Sequence, residues 1–151
     1  MSQFSRRLET IFCDDIRQEV GNKVSYMGVY SSELTVPTTP IVLPKLCVAI
    51  KAATEVKDPF QALDVHIVTV IGESETLLAS TGMIPLVNEP SKEIDGSPLA
   101  AYQMMFVLSP FQIDAECIIR VKAITEREEL RGIGLRIKVV QQPERLAAPV
   151  E

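Results

Sequence analysis

Apolar residues recur at every second position through most of this chain, and that period decides the fold class. Side chains of a strand point alternately to its two faces, so a period of two marks a strand with one buried face. Leu8, Thr10 and Phe12 are interleaved with Glu9, and Val24, Tyr26 and Gly28 with Ser25, Met27 and Val29. Leu46, Val48, Ile50 and Ala52 form a third run; Leu63, Val65, Ile67 and Thr69 a fourth; Tyr102, Met104, Phe106 and Leu108 a fifth. Ile119, Val121 and Ala123, then Ile133, Leu135, Ile137 and Val139, complete the series. Ten prolines punctuate it. Proline cannot donate to a central ladder, so these positions mark edges and loops. The expectation is an all-β antiparallel β-sandwich, immunoglobulin-like or similar, of seven to nine strands.

At 151 residues the chain has the size of one domain. Residues 1–140 are read as that single β-sandwich domain and 141–151 as a flexible C-terminal tail. One short helical turn is expected over Asp15–Val20, with Asp15 and Gln18 as a capping box and Gly21 as the left-handed stop. Glu126–Leu130 reads either as a second helical turn or as a polar hairpin loop. The segment from Asn88 to Pro98, with two prolines, a glycine and an acidic excess, reads as an exposed loop.

Composition excludes several functions. With 46% hydrophobic residues the chain can bury a core without a disulfide or structural zinc. Cys13, Cys47 and Cys117 are an odd set in strand-like contexts, which reads as three free thiols in a reducing, cytoplasmic protein. The first twelve residues hold no apolar run of signal-peptide length, and no stretch has the length of a membrane helix. The net charge of −5 argues against a nucleic-acid partner. The charge is uneven: residues 55–116 hold two basic and ten acidic groups, residues 117–151 seven basic and five acidic.

Catalytic constellations are scarce. There is one histidine, His66, so no multi-histidine metal site is possible. A serine–histidine–aspartate set needs only meeting in space, yet His66 sits mid-strand beside Asp64, and a structural role is the commoner fate. Gly132 and Gly134 form a GxG without a third glycine or a following helix and carry no weight as a nucleotide loop. No cofactor is expected, and an enzyme is the less favoured class. The densest cluster is Cys13-Asp14-Asp15 with Arg17 and Glu19. Asp14, Asp15 and Glu19 could offer oxygen ligands to a hard cation, with Glu89, Glu93 and Asp95 as further candidates. The competing reading makes Asp15 a cap and pairs Arg17 with Asp14 or Glu19. Two neighbouring aspartates would raise the Cys13 pKa, which disfavours a nucleophilic thiolate. Tyr30, and Phe60 after Pro59, are the aromatics expected to be exposed.

The last two runs allow a register argument. If 118–124 and 133–139 pair antiparallel, only an even-sum register sets Val121 opposite an apolar partner such as Ile137. That register gathers Arg120, Lys122, Arg136 and Lys138 on the opposite face, as a solvated surface or as a docking strip for an anionic partner.

The stretch from Phe12 to Tyr30, FCDDIRQEVGNKVSYMGVY, with Leu34-Thr-Val-Pro37 and Val42-Leu-Pro-Lys-Leu46, resembles a family of small bacterial proteins classed as a domain of unknown function. The resemblance runs over residues 12–46. It implies a bacterial origin and singles out Asp14, Asp15, Arg17, Glu19, Lys23 and Tyr30, but brings no activity. The leading expectation is a non-enzymatic cytoplasmic binding or assembly module, with a protein partner or self-association through an open sheet edge. The alternatives are a cation-binding module or metal-dependent hydrolase using the Asp14–Glu19 cluster, and a structural component of a phage-like or secretion apparatus.

Overall fold

A computed structural model describes residues 5–86 and 98–141, and these residues are all β. The strands are β1 (Arg7–Glu19), β2 (Lys23–Tyr30), β3 (Glu33–Val36), β4 (Ile41–Leu43), β5 (Leu46–Glu55), β6 (Ala62–Ile71), β7 (Ser74–Ser80), β8 (Ile84–Pro85), β9 (Leu99–Leu108), β10 (Phe111–Ile113), β11 (Cys117–Thr125), β12 (Glu129–Arg131) and β13 (Leu135–Val139). No helix occurs among the described residues, and therefore none long and apolar enough to cross a membrane. One sheet has the order β2-β1-β5-β9. The larger has the order β3-β13-β11-β6-β7, with β12 also on β11 and β8 on β6; β4 and β10 form a separate pair. The sheets do not close into a barrel. The expected loop around Asn88–Pro98 and the expected tail fall almost wholly outside the described residues.

All seven alternating runs are strands, but thirteen strands are present where seven to nine were expected. Five of the additional six are two to four residues long, too short for a period to show. The sixth, β7, is solvent-facing along nearly its whole length, so it has no buried face to alternate. Every pairing is antiparallel except β3 with β13, which is parallel.

The inward residues of the two larger sheets meet in one cluster. Leu8 and Phe12 of β1 and Val48, Ile50 and Ala52 of β5 come from one side. Leu63, Val65 and Ile67 of β6, Ile119, Val121 and Ala123 of β11, and Leu135 and Ile137 of β13 come from the other. Each large side chain there contributes about 1.5–3 kcal/mol by leaving water. Phe60, expected at the surface, is fully buried instead. The Arg6 guanidinium lies 4.7 Å from its ring centroid and Tyr102 meets it edge-on at 6.1 Å, so the residue after Pro59 closes one end of the core.

The helical turn expected at Asp15–Val20 is absent: β1 runs on through Glu19. Asp15 does not cap. Its carboxylate accepts from the Ile16 N–H at 3.0 Å and from Arg17, two residues along on the same strand face, at 3.2 Å. Glu19 pairs in register with Lys23, and Val20-Gly21-Asn22 turn the chain, Gly21 at φ 88° and Asn22 at φ 61°. Two left-handed residues in succession suit a hairpin rather than a helix stop. Glu126–Leu130 is not a helical turn: Glu126, Arg127 and Glu128 form the hairpin loop, and Glu129 and Leu130 already belong to β12.

Candidate functional site

The register of β11 is the framework of the expected cationic strip. Cys117 pairs with Ile137, Ile118 with Arg136 and Ile119 with Leu135, an even-sum register. Val121 lies opposite Ile67 of β6 rather than Ile137, because pairing with β13 ends at Ile119 and β12 takes over, Lys122 facing Arg131. Arg120 and Lys122 on β11 and Arg136 and Lys138 on β13 still share the face turned from the core.

The four cations differ in their surroundings. Lys122 is only 11% exposed along its side chain and is bonded to Glu75, with Glu129 at 3.9 Å. That bond holds the Glu75 carboxyl below its usual range. Lys138 pairs with Glu33 at 3.0 Å. Arg120 and Arg136 form no ion pair among the described residues, even though Glu33 stands directly across from Arg136. Together with Ser32, Glu33, Ile118 and Gly134 they line a hollow of about 390 Å³. A Cβ on Gly134 would stand 2.9 Å from the Ile119 carbonyl oxygen and 3.0 Å from Ile118 Cγ2, so a bare backbone lets β13 approach β11 beneath the two arginines. The other glycine of the GxG, Gly132, makes a different close approach, to Thr10 of β1, where a Cβ would fall 2.4 Å from Thr10 Cγ2.

The acidic cluster does not converge. Alternation along β1 sends Asp14 to one face and Asp15, Arg17 and Glu19 to the other. Asp14 accepts a short hydrogen bond from the Tyr30 hydroxyl. Asp15 is held by Lys45 at 2.5 Å and by Arg17, and these bonds, Lys45 first, keep its carboxyl below the usual range. Glu19 accepts from Ser25 Oγ at 3.0 Å. Arg17 pairs with Asp15 rather than with Asp14 or Glu19. No group of three or more histidine, cysteine, aspartate or glutamate side chains among the described residues is placed to hold a metal. Glu89, Glu93 and Asp95 lie outside the described residues.

His66 does meet a serine and an aspartate, but in the wrong order for acyl transfer. Asp64 stands between them, 3.0 Å from His66 Nε2 and 3.0 Å from Ser80 Oγ. The hydroxyl donates to the carboxylate and not to the imidazole, so His66 is not positioned to activate it as the histidine of such a triad does.

Cys13 and Cys47 face each other across β1 and β5 and are both buried. Burial, then the neighbouring Cys47, then Asp14 and Asp15, push the Cys13 thiol up; burial does the same at Cys47 and Cys117. Neither strand neighbour is a cation that would favour a thiolate, apart from Lys45 acting on Cys47.

Two features have no local mark in the sequence. The first is an ion-pair lock around Arg6, whose side chain is 3% exposed. It reaches Glu126 at 2.7 Å and Asp58 at 3.4 Å and donates to the Pro59 carbonyl at 2.8 Å; Arg127 grips Asp58 from outside. Partners 52 and 120 residues away leave no spacing to read. The second is a cleft of about 390 Å³ beneath the β1–β2 hairpin. Asn22 of the turn and Val24 and Tyr26 of β2 line it together with Ile11 of β1, Ala49 of β5 and Met105 of β9, so β2 shares a cleft with two strands, β5 and β9, with which it does not pair.

A model of a family of unknown function (DUF6941) matches residues 9–138, most of the chain, and the chain belongs to that family. No curated protein and no solved structure matches the chain.

Proposed function

We propose that this family member is a non-enzymatic, cytoplasmic binding or assembly module, an immunoglobulin-like β-sandwich that docks an acidic protein surface on the outer face of β11 and β13. The carrying observation is the contrast among four cations. Lys122 and Lys138 are neutralised by ion pairs, while Arg120 and Arg136 line one hollow and form no ion pair among the described residues. Like charges on neighbouring strands repel, and a bound carboxylate relieves that repulsion. Arginine is the side chain suited to it, because its planar fork takes a carboxylate through two parallel hydrogen bonds. The Ser80–Asp64–His66 order supports a binding role over a hydrolytic one. One inward cluster fed by both larger sheets supports the sandwich.

The test is affinity capture from lysate of the source organism with wild type and Arg120→Glu/Arg136→Glu, at low and high salt. A stoichiometric acidic partner that is lost in the variant and weakened by salt supports the proposal. Capture that ignores both changes removes the arginine face from consideration.

A further inference from the structure

The two larger sheets have four open edges, and three carry devices that discourage pairing with another chain. β2 bears Lys23 and has the left-handed Gly28 in its middle. β7 bears Glu75 and pairs with β6 through a register shift at Ile67/Val68. β3 is four residues long and bears Glu33. Charges, irregularities and short length are the usual protections of an edge. The fourth edge, β9, has none of them. It is a regular ten-residue strand, LAAYQMMFVL, with no charge, no proline and Gln103 as its one polar residue. Each of its residues is paired to β5 on one side, and from Ala101 to Leu108 no described residue pairs with its backbone on the other.

Its burial is also incomplete. β5, its neighbour, is buried at eight of its ten positions, whereas no residue of β9 is. Tyr102, Met104, Phe106 and Leu108 face the core half-covered, and on the outer face Met105 and Val107 are 45% and 58% exposed.

We propose that the β9 edge joins a second copy of this chain, antiparallel about a two-fold axis, making one continuous eight-stranded sheet. Antiparallel neighbours directly opposite each other share a face, so the register must be even-sum; centring the axis on Gln103 or Met104 meets this. It sets odd residues against odd residues and the half-covered Tyr102–Leu108 face against its own copy. A second copy is favoured over a foreign strand because it brings an equally uncharged sequence of equal length, and a two-fold contact closes without leaving a further edge of the same kind. This surface is independent of the arginine face, which belongs to the other sheet.

Sedimentation equilibrium at micromolar concentration, with residue-resolved amide exchange, tests the pairing. Wild type is expected to sediment at twice the chain mass, with every amide from Ala101 to Leu108 slow to exchange. Met105→Lys/Val107→Lys changes two exposed side chains and puts four added lysines on the outer face of the joined sheet. It is expected to halve the sedimenting mass, to keep a cooperative thermal transition whose Tm no longer depends on protein concentration, and to make alternate β9 amides fast. Gln103→Lys, at another exposed position, serves if the double variant does not fold. A monomeric wild type, or a dimer that survives these substitutions, overturns the proposal.

Discussion

The Tyr30 hydroxyl donates to the Asp14 carboxylate across the bare backbone of Gly28. Asp14 and Gly28 lie between the Cys13–Val29 and Asp15–Met27 pairs of the β1–β2 register, and a Cβ on Gly28 would fall 2.3 Å from Asp14 Oδ2. Gly28 also has φ 65°, which side-chain-bearing residues rarely adopt. Three residues of the Phe12–Tyr30 stretch thus form one structural unit: an acid, the gap that admits it, and the phenol that holds it.

Gly28→Ala is accordingly expected to lose about 1–3 kcal/mol, since backbone strain and overlap with Asp14 act together. Chemical denaturation measures it. A loss near zero would mean that Asp14 swings clear and that Tyr30 does not hold it.

Tyr30 also sets an alkaline limit. Burial first, then the bond to Asp14, push its hydroxyl up to about 12. A group whose folded pKa is raised stabilises fully below its unfolded value, about 10, and the gain is lost as pH rises through 12. Ultraviolet titration of phenolate should show one late tyrosine that disappears in Tyr30→Phe, whose stability should fall less steeply above pH 10. Identical titrations would place the phenol outside the Asp14 contact.

The Arg6 lock governs the acid side. Burial pushes Glu126 up, but backbone N–H donors and Arg6 outweigh it and hold the carboxyl at about 2, and Arg127 keeps Asp58 below its usual range. Depressed carboxyls stabilise above their unfolded pKa, near 4.5 for Glu126, and the gain is lost as pH falls from there through about 2. Arg6→Met should cost about 1 kcal/mol at neutral pH, because Glu126 loses its charged partner but keeps contact with water and the Gln61 and Ala62 N–H donors. It should also flatten the acid limb, so that variant and wild type converge near pH 2. A constant gap across that range would show that Arg6 acts by packing on Phe60 alone.

The three thiols should resist alkylation in the folded protein at neutral pH, since burial raises all three and the thiolate is the reactive form. Mass-resolved labelling with iodoacetamide should show slow modification that becomes fast and threefold on unfolding. Rapid labelling of Cys13 or Cys47 in native buffer would contradict their burial between β1 and β5.

The long strands were legible because each has one wet and one dry face. β9 alternates along its whole length and β11 from Ile118 onward, and Arg120, Lys122, Arg136 and Lys138 fall on one face by parity alone. The end of β1 was not legible. Asp15, Gln18 and Gly21 satisfy the local chemistry of a capped helix, and cross-strand partners Lys45, Ser25 and Lys23 override it. The same alternation that revealed the strands separates Asp14 from Asp15 and Glu19, which sequence proximity had grouped. Which cations are free was out of reach, because Glu75 and Glu33 come from distant strands to neutralise Lys122 and Lys138.

The docking face is tested most directly by separating the two arginines from the ion-paired Lys138. Capture of the acidic partner is compared between Arg120→Glu/Arg136→Glu and Lys138→Gln, each with its Tm. The account expects the arginine variant to lose capture at least tenfold with little change in Tm, and Lys138→Gln, which frees Glu33, to retain most of it. Equal capture by both variants and wild type would contradict it.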